Sequence, residues 1–147
     1  SMLEPVLKAG ETYALPQDWS ESEALDYWFA PDKSVFVTED IMNGELLGVY
    51  YLKPNQLGGG SHVCNCGYVT APLAQGRGVA RAMAEHSFDE ARRQGFRAMQ
   101  YNFVIATNTR AVSLWQRYGF EIVGTLPEAY DHPRLGYVDA LVMFKTL

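Results

Sequence analysis

The segment APLAQGRGVARAM, residues 71–83, places small residues where an irregular stretch turns into a helix. Gly76, Gly78 and Ala80 stand there beside the polar residues Gln75 and Arg77. Glycine costs stability inside regular structure, so this position indicates a backbone that needs freedom or close access. The first N–H groups of a helix have no internal partner, and the helix dipole adds partial positive charge. The segment therefore predicts an anion site that suits a phosphate.

The glycine pattern does not complete the best-known nucleotide motifs. Gly76 and Gly78 begin the dinucleotide fingerprint G-x-G-x-x-G, but Arg81 occupies the position of its third glycine. The run Gly58-Gly59-Gly60 lacks the following Lys-Ser/Thr pair of a phosphate loop, so we interpret it as a connector. A nucleotide-binding regulatory domain that holds another phosphate remains an alternative at this point.

His62, Cys64 and Cys66 alternate along a predicted strand and would share one of its faces. A zinc site needs further ligands at suitable spacing, and the neighbouring sequence offers none. We therefore expect two buried thiols and no metal.

The elements that must position the glycine segment follow from hydrophobic periodicity and from turn residues. Ser20 and Glu23 form a capping box for the first predicted helix, and Asn43-Gly44 supplies a hairpin turn. Ala80, Met83, Ala84, Ser87, Phe88 and Ala91 form one stripe on a helix that extends to about Gln94. The predicted helices cover residues 19–29, 79–94 and 109–118, and the strands cover 34–40, 45–52, 62–70, 96–106, 120–126 and 136–146, with a loop at 127–133.

This order predicts a mixed α/β fold with α+β character, in which helices flank a single central mixed sheet. The length of 147 residues suits one domain over residues 2–147. A net charge of −5 argues against a nucleic-acid partner, and the sequence lacks the run of about 20 apolar residues that a membrane span needs. We expect a cytoplasmic protein with no membrane association, and a homodimer is left open.

Three segments together resemble the GNAT superfamily of N-acetyltransferases. QGRGVA is similar to its signature Q/R-x-x-G-x-G/A, and GYVTAP resembles the strand that precedes it. NTRAVSLWQRYGF resembles the later segment N-x-x-A-x-x-L-Y-x-x-x-G-F. The resemblance extends from Val6 to Lys145 and implies the acyl-CoA N-acyltransferase fold. It also implies direct transfer of an acetyl group from acetyl-CoA to an amine of a small molecule or peptide. A non-catalytic acyl-CoA-binding module is the alternative.

The resemblance also implies which residues bind the coenzyme. Backbone amides of the signature would hold the pyrophosphate, with charge from Arg77 and Arg81, and the backbone of Val69 and Thr70 would hold the pantetheine arm. Asn108 would help to hold that arm or cap the following helix, and both roles are compatible. Trp115, seven residues further along the same helix face, would lie near the thioester or just beneath it. The implied coenzyme residues are Val69, Thr70, Gln75, Gly76, Arg77, Gly78, Val79, Ala80, Arg81, Asn108 and Trp115.

Two departures from the family pattern leave the proton transfers open. Trp115 stands where family members often have a tyrosine that donates a proton to the thiolate, and Asn65 stands where some have a glutamate. Tyr118 is the substitute donor, although packing is an alternative for it. His132 and Asp139 are the substitute bases, with an exposed loop as the alternative for His132 and a buried position expected for Asp139.

Overall fold

A computed structural model of the protein describes residues 2–147. The helices are α1 (Leu3–Ala9), α2 (Glu21–Trp28), α3 (Val79–Arg93) and α4 (Thr109–Arg117). The strands are β1 (Ser34–Glu39), β2 (Leu46–Pro54), β3 (Val63–Thr70), β4 (Ala98–Ile105), β5 (Glu121–His132) and β6 (Gly136–Thr146). They form one sheet in the order β1-β2-β3-β4-β6-β5. Only the β3–β4 pairing is parallel among these described strands, so the predicted mixed α/β architecture is confirmed.

The sheet carries a hydrophobic cluster on each face. Alternation along β2 sends Tyr50 and Leu52 into a cluster with α3 and α4, and sends Val49 and Tyr51 into a cluster with α1 and α2. The predicted stripe of α3 is confirmed for Met83, Ala84, Ser87, Phe88 and Ala91, which are buried, but not for its first member, Ala80, which is exposed. The capping box of Ser20 and Glu23 at α2 is also present. Helices on both faces therefore fix the position of the central strands.

Helix α1 was not predicted from the sequence. Leu3 and Leu7, one turn apart, are buried against α2 and the sheet. The helix has only 7 residues, too few for a periodic signal that stands out.

The predicted loop at 127–133 is mostly strand. β5 continues to His132, with a register irregularity between Leu126 and Tyr130. The predicted loop contains Pro127, but β5 is the outermost strand, and an edge strand tolerates proline.

The central strands β3 and β4 part soon after they begin. Their register contains only the pairs Val63↔Ala98 and Cys64↔Met99, although β3 continues to Thr70 and β4 to Ile105. Beyond those pairs, β3 remains paired with β2 and β4 with β6. The sheet consequently opens in its middle, next to the N-terminus of α3. No helix within residues 2–147 has the length and apolar character that crossing a bilayer requires.

Candidate active site

A cleft of about 1040 Å³ occupies the gap between β3 and β4. One half of it is lined by the segment that precedes α3, by the first turn of α3 and by α4. The other half is lined by the connection between α1 and α2 and by aromatic side chains of α2, β2 and β4. Ten of the eleven coenzyme residues implied by the sequence line this cleft, and Arg77 is the exception.

The turn before α3 presents backbone N–H groups to the cleft. Gly76 and Gly78 have φ angles of 78° and 79°, a left-handed conformation that glycine adopts without strain. A Cβ atom at either position would meet no heavy atom within 4 Å, so the space in front of them is open. Within the described chain, no acceptor is paired with the N–H groups of Gly76, Gly78, Val79, Ala80 and Arg81. These unpaired donors fit an anionic ligand.

Two other backbone N–H groups of the signature donate hydrogen bonds within the turn itself. The Gln75 N–H donates to the Pro72 oxygen at 3.4 Å, and the Arg77 N–H donates to the Ala74 oxygen at 3.3 Å. The Arg77 side chain donates to Asp40 at 2.8 Å, which ties the turn to the β1–β2 hairpin. Hydrogen bonds from the Met42 N–H and from Arg77 lower the pKa of Asp40. Arg77 therefore shapes the turn from outside the cleft.

The backbone N–H and C=O groups of β3 point alternately towards β2 and towards the gap. Ala71 N–H donates to the Leu47 oxygen and Asn55 N–H donates to the Val63 oxygen, both at 2.8 Å, so odd-numbered residues of β3 pair with β2. The polar backbone groups of Thr70 consequently face the gap, whereas those of Val69 face β2. Val69 lines the cleft, but its polar backbone groups pair with β2, which differs from the backbone role that the sequence resemblance implied.

Asn65 lies where β3 and β4 begin to part. Its Nδ2 donates to the Gln100 oxygen of β4 at 2.9 Å, and this bond fixes the orientation of the amide. The side chain lines the cleft and the residue is 8% exposed. Oδ1 has no hydrogen-bond partner among residues 2–147, so it is an acceptor directed by Gln100 and available at the cleft.

Trp115 lies in the aromatic floor of the cleft. Its ring centroid is 5.0 Å from that of Tyr68 and 4.7 Å from that of Tyr101. It is 8% exposed and lines the cleft, and its position near the thioester stays a prediction. Asn108, two turns earlier, also lines the cleft and caps α4, accepting from the Ala111 N–H at 3.4 Å. The capping role of Asn108 is confirmed.

The two tyrosines beside Trp115 belong to an ordered hydrogen-bond chain. Ser87 Oγ donates to the Ala84 oxygen at 2.7 Å, so it must accept from the Tyr68 hydroxyl at 2.7 Å. The Tyr101 hydroxyl then donates to Tyr68 at 3.1 Å. Both phenolic protons thus point away from the cleft. Burial raises the pKa of Tyr68 and of Tyr101, which keeps both phenols protonated.

A second aromatic wall lines the other half of the cleft. Tyr13, Tyr27 and Tyr51 form it, backed by the buried ring of Trp28. Gly67 of β3 makes room for them, since a Cβ there would lie 2.5 Å from Tyr51 Cε1 and 2.9 Å from the Tyr13 hydroxyl oxygen. The Tyr13 hydroxyl donates to the Tyr68 oxygen at 3.0 Å, which anchors the α1–α2 connection to β3.

The three candidates for proton transfer lie elsewhere. The Tyr118 hydroxyl donates to Glu85 on α3 at 2.8 Å. His132 is 5% exposed, and its Nδ1 accepts from the Arg134 and Leu135 N–H groups at 3.1 and 3.2 Å, so the exposed-loop alternative for His132 is wrong. The expectation that Asp139 is buried is also wrong; its exposed carboxylate accepts from the Glu128 N–H at 2.9 Å. None of the three lines the described cleft.

Sequence reasoning missed several cleft residues. Arg110 and Arg117 of α4 line the half of the cleft next to α3, and Phe103 of β4 lines the aromatic half. Tyr13 lies in a connection without periodicity, so nothing local marked it. Among residues 2–147, no group of three or more His, Cys, Asp or Glu side chains is placed to hold a metal ion. Cys64 and Cys66 are buried free thiols, and His62 is exposed, outside β3.

Comparisons with known proteins agree with this geometry. Residues 4–120 match the acetyltransferase (GNAT) family. The N-acetyltransferase aca1 of Schizosaccharomyces pombe is 31% identical, over 92% of this chain and 72% of its own. The structure of a GCN5-related N-acetyltransferase from Kribbella flavida is 41% identical, with a TM-score of 0.92 over 99% of this chain and 88% of its own. The structure of yncA from Salmonella typhimurium, solved with acetyl-CoA, has a TM-score of 0.83 at 20% identity, over 99% of this chain and 84% of its own.

Proposed function

Because the chain belongs to the GNAT family of acetyltransferases, we propose that its cleft is divided into a coenzyme half and an acceptor half. The chain is an acetyl-CoA-dependent N-acetyltransferase. The observation that supports the division is the set of unpaired N–H groups at the start of α3, which open into the gap between β3 and β4. Acetyl-CoA supplies the acetyl group in activated thioester form. In the net reaction the amine nitrogen gains the acetyl group and loses one proton, and coenzyme A leaves as the free thiol.

The N–H groups of Gly76, Gly78, Val79, Ala80 and Arg81 bind the pyrophosphate. They combine unpaired donors with the positive end of the α3 dipole, which is the physical basis of phosphate binding at helix starts. The guanidinium groups of Arg81, Arg110 and Arg117 line the same half and add positive charge. Gln75 and Arg77 contribute by holding the turn in shape.

The pantetheine arm binds in the gap between the strands. Thr70 presents its backbone to that gap, so the arm pairs with β3 as an added strand would. Asn108 and Val69 line the same passage. Trp115 supplies the floor beneath the reactive end.

Asn65 positions the acceptor amine. Its Oδ1 accepts a hydrogen bond from one amine N–H and holds the nitrogen at the fork of the strands. An amide is not a base, so the amine proton leaves to water. We do not assign Tyr118, His132 or Asp139 to proton transfer, because their polar atoms contact Glu85, the β5–β6 turn and the Glu128 backbone.

The acceptor is an amine of a small molecule or a peptide, and it enters from the half lined by Tyr13, Tyr27 and Tyr51. We also propose that the protein acts in the cytoplasm, since two free buried thiols suit a reducing compartment.

The protein also forms a homodimer through β5. This outermost strand has a free edge and exposes Ile122, Val123 and Leu126, a combination that favours pairing with a second chain. Light scattering behind a sizing column should give twice the mass of the chain. A monomer mass at all concentrations would contradict the dimer and leave the division of the cleft unaffected.

Calorimetry and thiol release together test the enzyme assignment. Coenzyme A should bind and should raise the unfolding temperature, because it binds the folded state preferentially. Acetyl-CoA with an amine panel should release free thiol. Binding without thiol release for any amine would favour a non-catalytic module, and stabilisation by a nucleotide but not by coenzyme A would favour a nucleotide domain.

A further inference from the structure

We propose that the acceptor is an aromatic amine that carries no charge when it binds. This inference deepens the proposed function and depends on it, because it concerns the half of the cleft that we assign to the acceptor. It is based on the aromatic wall formed by Tyr13, Tyr27 and Tyr51, and on a lysine that lies behind that wall.

The wall is rigid and aromatic. Tyr51 is 5% exposed and Trp28 is 1% exposed, and their ring centroids are 4.9 Å apart at an interplanar angle of 75°. Tyr27 meets Tyr51 edge to face at 6.3 Å. A planar ring that enters this half adds one more offset or edge-to-face contact to an existing array. A saturated ring of the same size gains only its apolar contact area.

An aromatic wall by itself would also suit a cationic amine, because ring faces attract positive charge. The position of Lys33 favours a neutral aromatic amine over a cationic one. Its Nζ lies 4.2 Å from the centroid of Tyr27 and 5.3 Å from that of Tyr51, and it donates to the Tyr27 oxygen at 2.7 Å. The ring array is therefore already bound to an ammonium group of this chain.

The charge of Lys33 is poorly screened on the cleft side. Its side chain is 4% exposed, and its carboxylate neighbour, Asp32, lies 3.7 Å away and is 57% exposed. A second ammonium group at Tyr27 and Tyr51 would approach this buried charge through a medium of low polarity, where repulsion is strong. The charged residues that line the cleft are Arg81, Arg110 and Arg117, so no carboxylate there attracts an ammonium ion.

The polar end of the acceptor half fits a neutral amine. Asn65 Oδ1 accepts a single N–H, and it gives no compensating negative charge to an ammonium ion. The hydroxyl groups of Tyr13 and Tyr51 stay protonated at neutral pH, since burial raises the pKa of both. An arylamine combines a planar ring with an uncharged NH₂ group and so matches both features.

Four amines separate ring character from charge: an arylamine, benzylamine, cyclohexylmethylamine and a linear alkyl diamine. We measure thiol release from acetyl-CoA and calorimetric binding to the coenzyme A complex at pH 7. We expect kcat/KM for the arylamine to exceed that for the diamine by roughly tenfold or more, and benzylamine to exceed its saturated analogue severalfold. The inference would be overturned if benzylamine or the diamine had a kcat/KM as high as that of the arylamine, or if cyclohexylmethylamine exceeded benzylamine. Either outcome would leave the acetyltransferase assignment intact. Absence of turnover with every amine would instead contradict the proposed function.

Lys33→Met tests the origin of the charge preference, with Lys53→Met as a matched control. Both lysines contact Asp32, Lys53 at 3.8 Å, but only Lys33 lies over the tyrosine rings. Lys33→Met should reduce the preference for the arylamine over benzylamine severalfold, and Lys53→Met should leave it unchanged. An equal effect of both variants, or none from Lys33→Met in a folded protein that binds coenzyme A normally, would overturn the role of Lys33.

Discussion

Asn65 Nδ2 donates to the Gln100 oxygen across 2.9 Å at the point where β3 and β4 stop pairing. The side-chain amide nitrogen of Asn65 thus makes a hydrogen bond between β3 and β4 just beyond their last backbone pair, and its Oδ1 remains available to a ligand in the cleft. Asn65→Ala should lower kcat/KM for the acceptor by at least about tenfold and destabilise the protein by about 1 kcal/mol.

Asn55→Ala is the control, because it also removes an asparagine side chain that is hydrogen-bonded to β4. Asn55 Oδ1 accepts from Asn102 at 2.7 Å, next to the closed end of the β3–β4 pair. This variant should lose a similar stability and keep its kinetics. Equal kinetic losses in both variants would show that Asn65 acts through strand geometry alone.

Gly78→Asp should weaken coenzyme A binding by at least about tenfold, because it places a carboxylate beside the unpaired N–H groups. Gly78→Asn is the matched control, since it has the same shape, tolerates the φ of 79° and carries no charge. Negative charge at a helix start favours folding, so reduced stability cannot explain a loss that is specific to aspartate. Calorimetric titration checks this, and equal affinities for the two variants would refute the phosphate assignment.

Gly67→Ala should raise the acceptor KM several-fold and leave coenzyme A affinity unchanged. The new methyl group would overlap the rings of Tyr51 and Tyr13 and push the aromatic wall into the cleft. Gly124→Ala is the control, since its Cβ would meet only Val142 at an ordinary 3.9 Å. Steady-state kinetics at saturating acetyl-CoA decide the outcome, and an unchanged KM in a folded Gly67→Ala protein would contradict the assignment of the acceptor half.

Trp115→Phe should keep most of the activity and lose about 1–2 kcal/mol of stability. The indole packs on Tyr68 and Tyr101, and a smaller ring keeps the apolar floor but leaves a gap. Any kinetic loss should appear mainly in the acceptor KM. Loss of turnover with intact folding and coenzyme A affinity would mean that the indole N–H takes part in the reaction; Trp115→Tyr then tests whether a phenol serves better.

The free energy of unfolding should begin to fall as the pH rises above about 9, where the Cys66 thiol of the unfolded chain ionises, because burial raises the pKa of that thiol in the folded state. It should fall more steeply above pH 10. Burial raises the folded-state pKa of Tyr68 and Tyr101, whereas the unfolded chain ionises near pH 10. Each such tyrosine then costs about 1.4 kcal/mol per further pH unit, since only the unfolded state releases its proton. Urea unfolding at several pH values measures the slope of the free energy of unfolding against pH. Tyr101→Phe should reduce this slope by the equivalent of about one proton, and Tyr137→Phe, which removes the hydroxyl of an exposed ring, is the control. An unchanged slope in Tyr101→Phe would contradict the burial effect.

Local signals in the sequence sufficed for most of the helices and strands and for the glycine turn before α3, whereas the other coenzyme residues were implied by the family resemblance. The stripe of α3 and the glycines at 76 and 78 are contiguous patterns, so periodicity and turn chemistry predict them. The acceptor half is assembled from α2, β2, β4 and the α1–α2 connection, which no local pattern joins. His132 illustrates the difference: its residue type suggests a base, but the β5–β6 turn uses its nitrogen as an acceptor.

The parting of β3 and β4 gives the sheet two unpaired strand edges in its interior, in addition to those at β1 and β5. Unpaired strand edges are the places where folded proteins begin to aggregate, because another chain can add a strand there. Here α3 and α4 cover one face of the gap, and the α1–α2 connection lies at the other. A slender, flexible molecule can thread between them, but the strand of a folded neighbour cannot. The opening that admits a ligand is thereby protected from self-association.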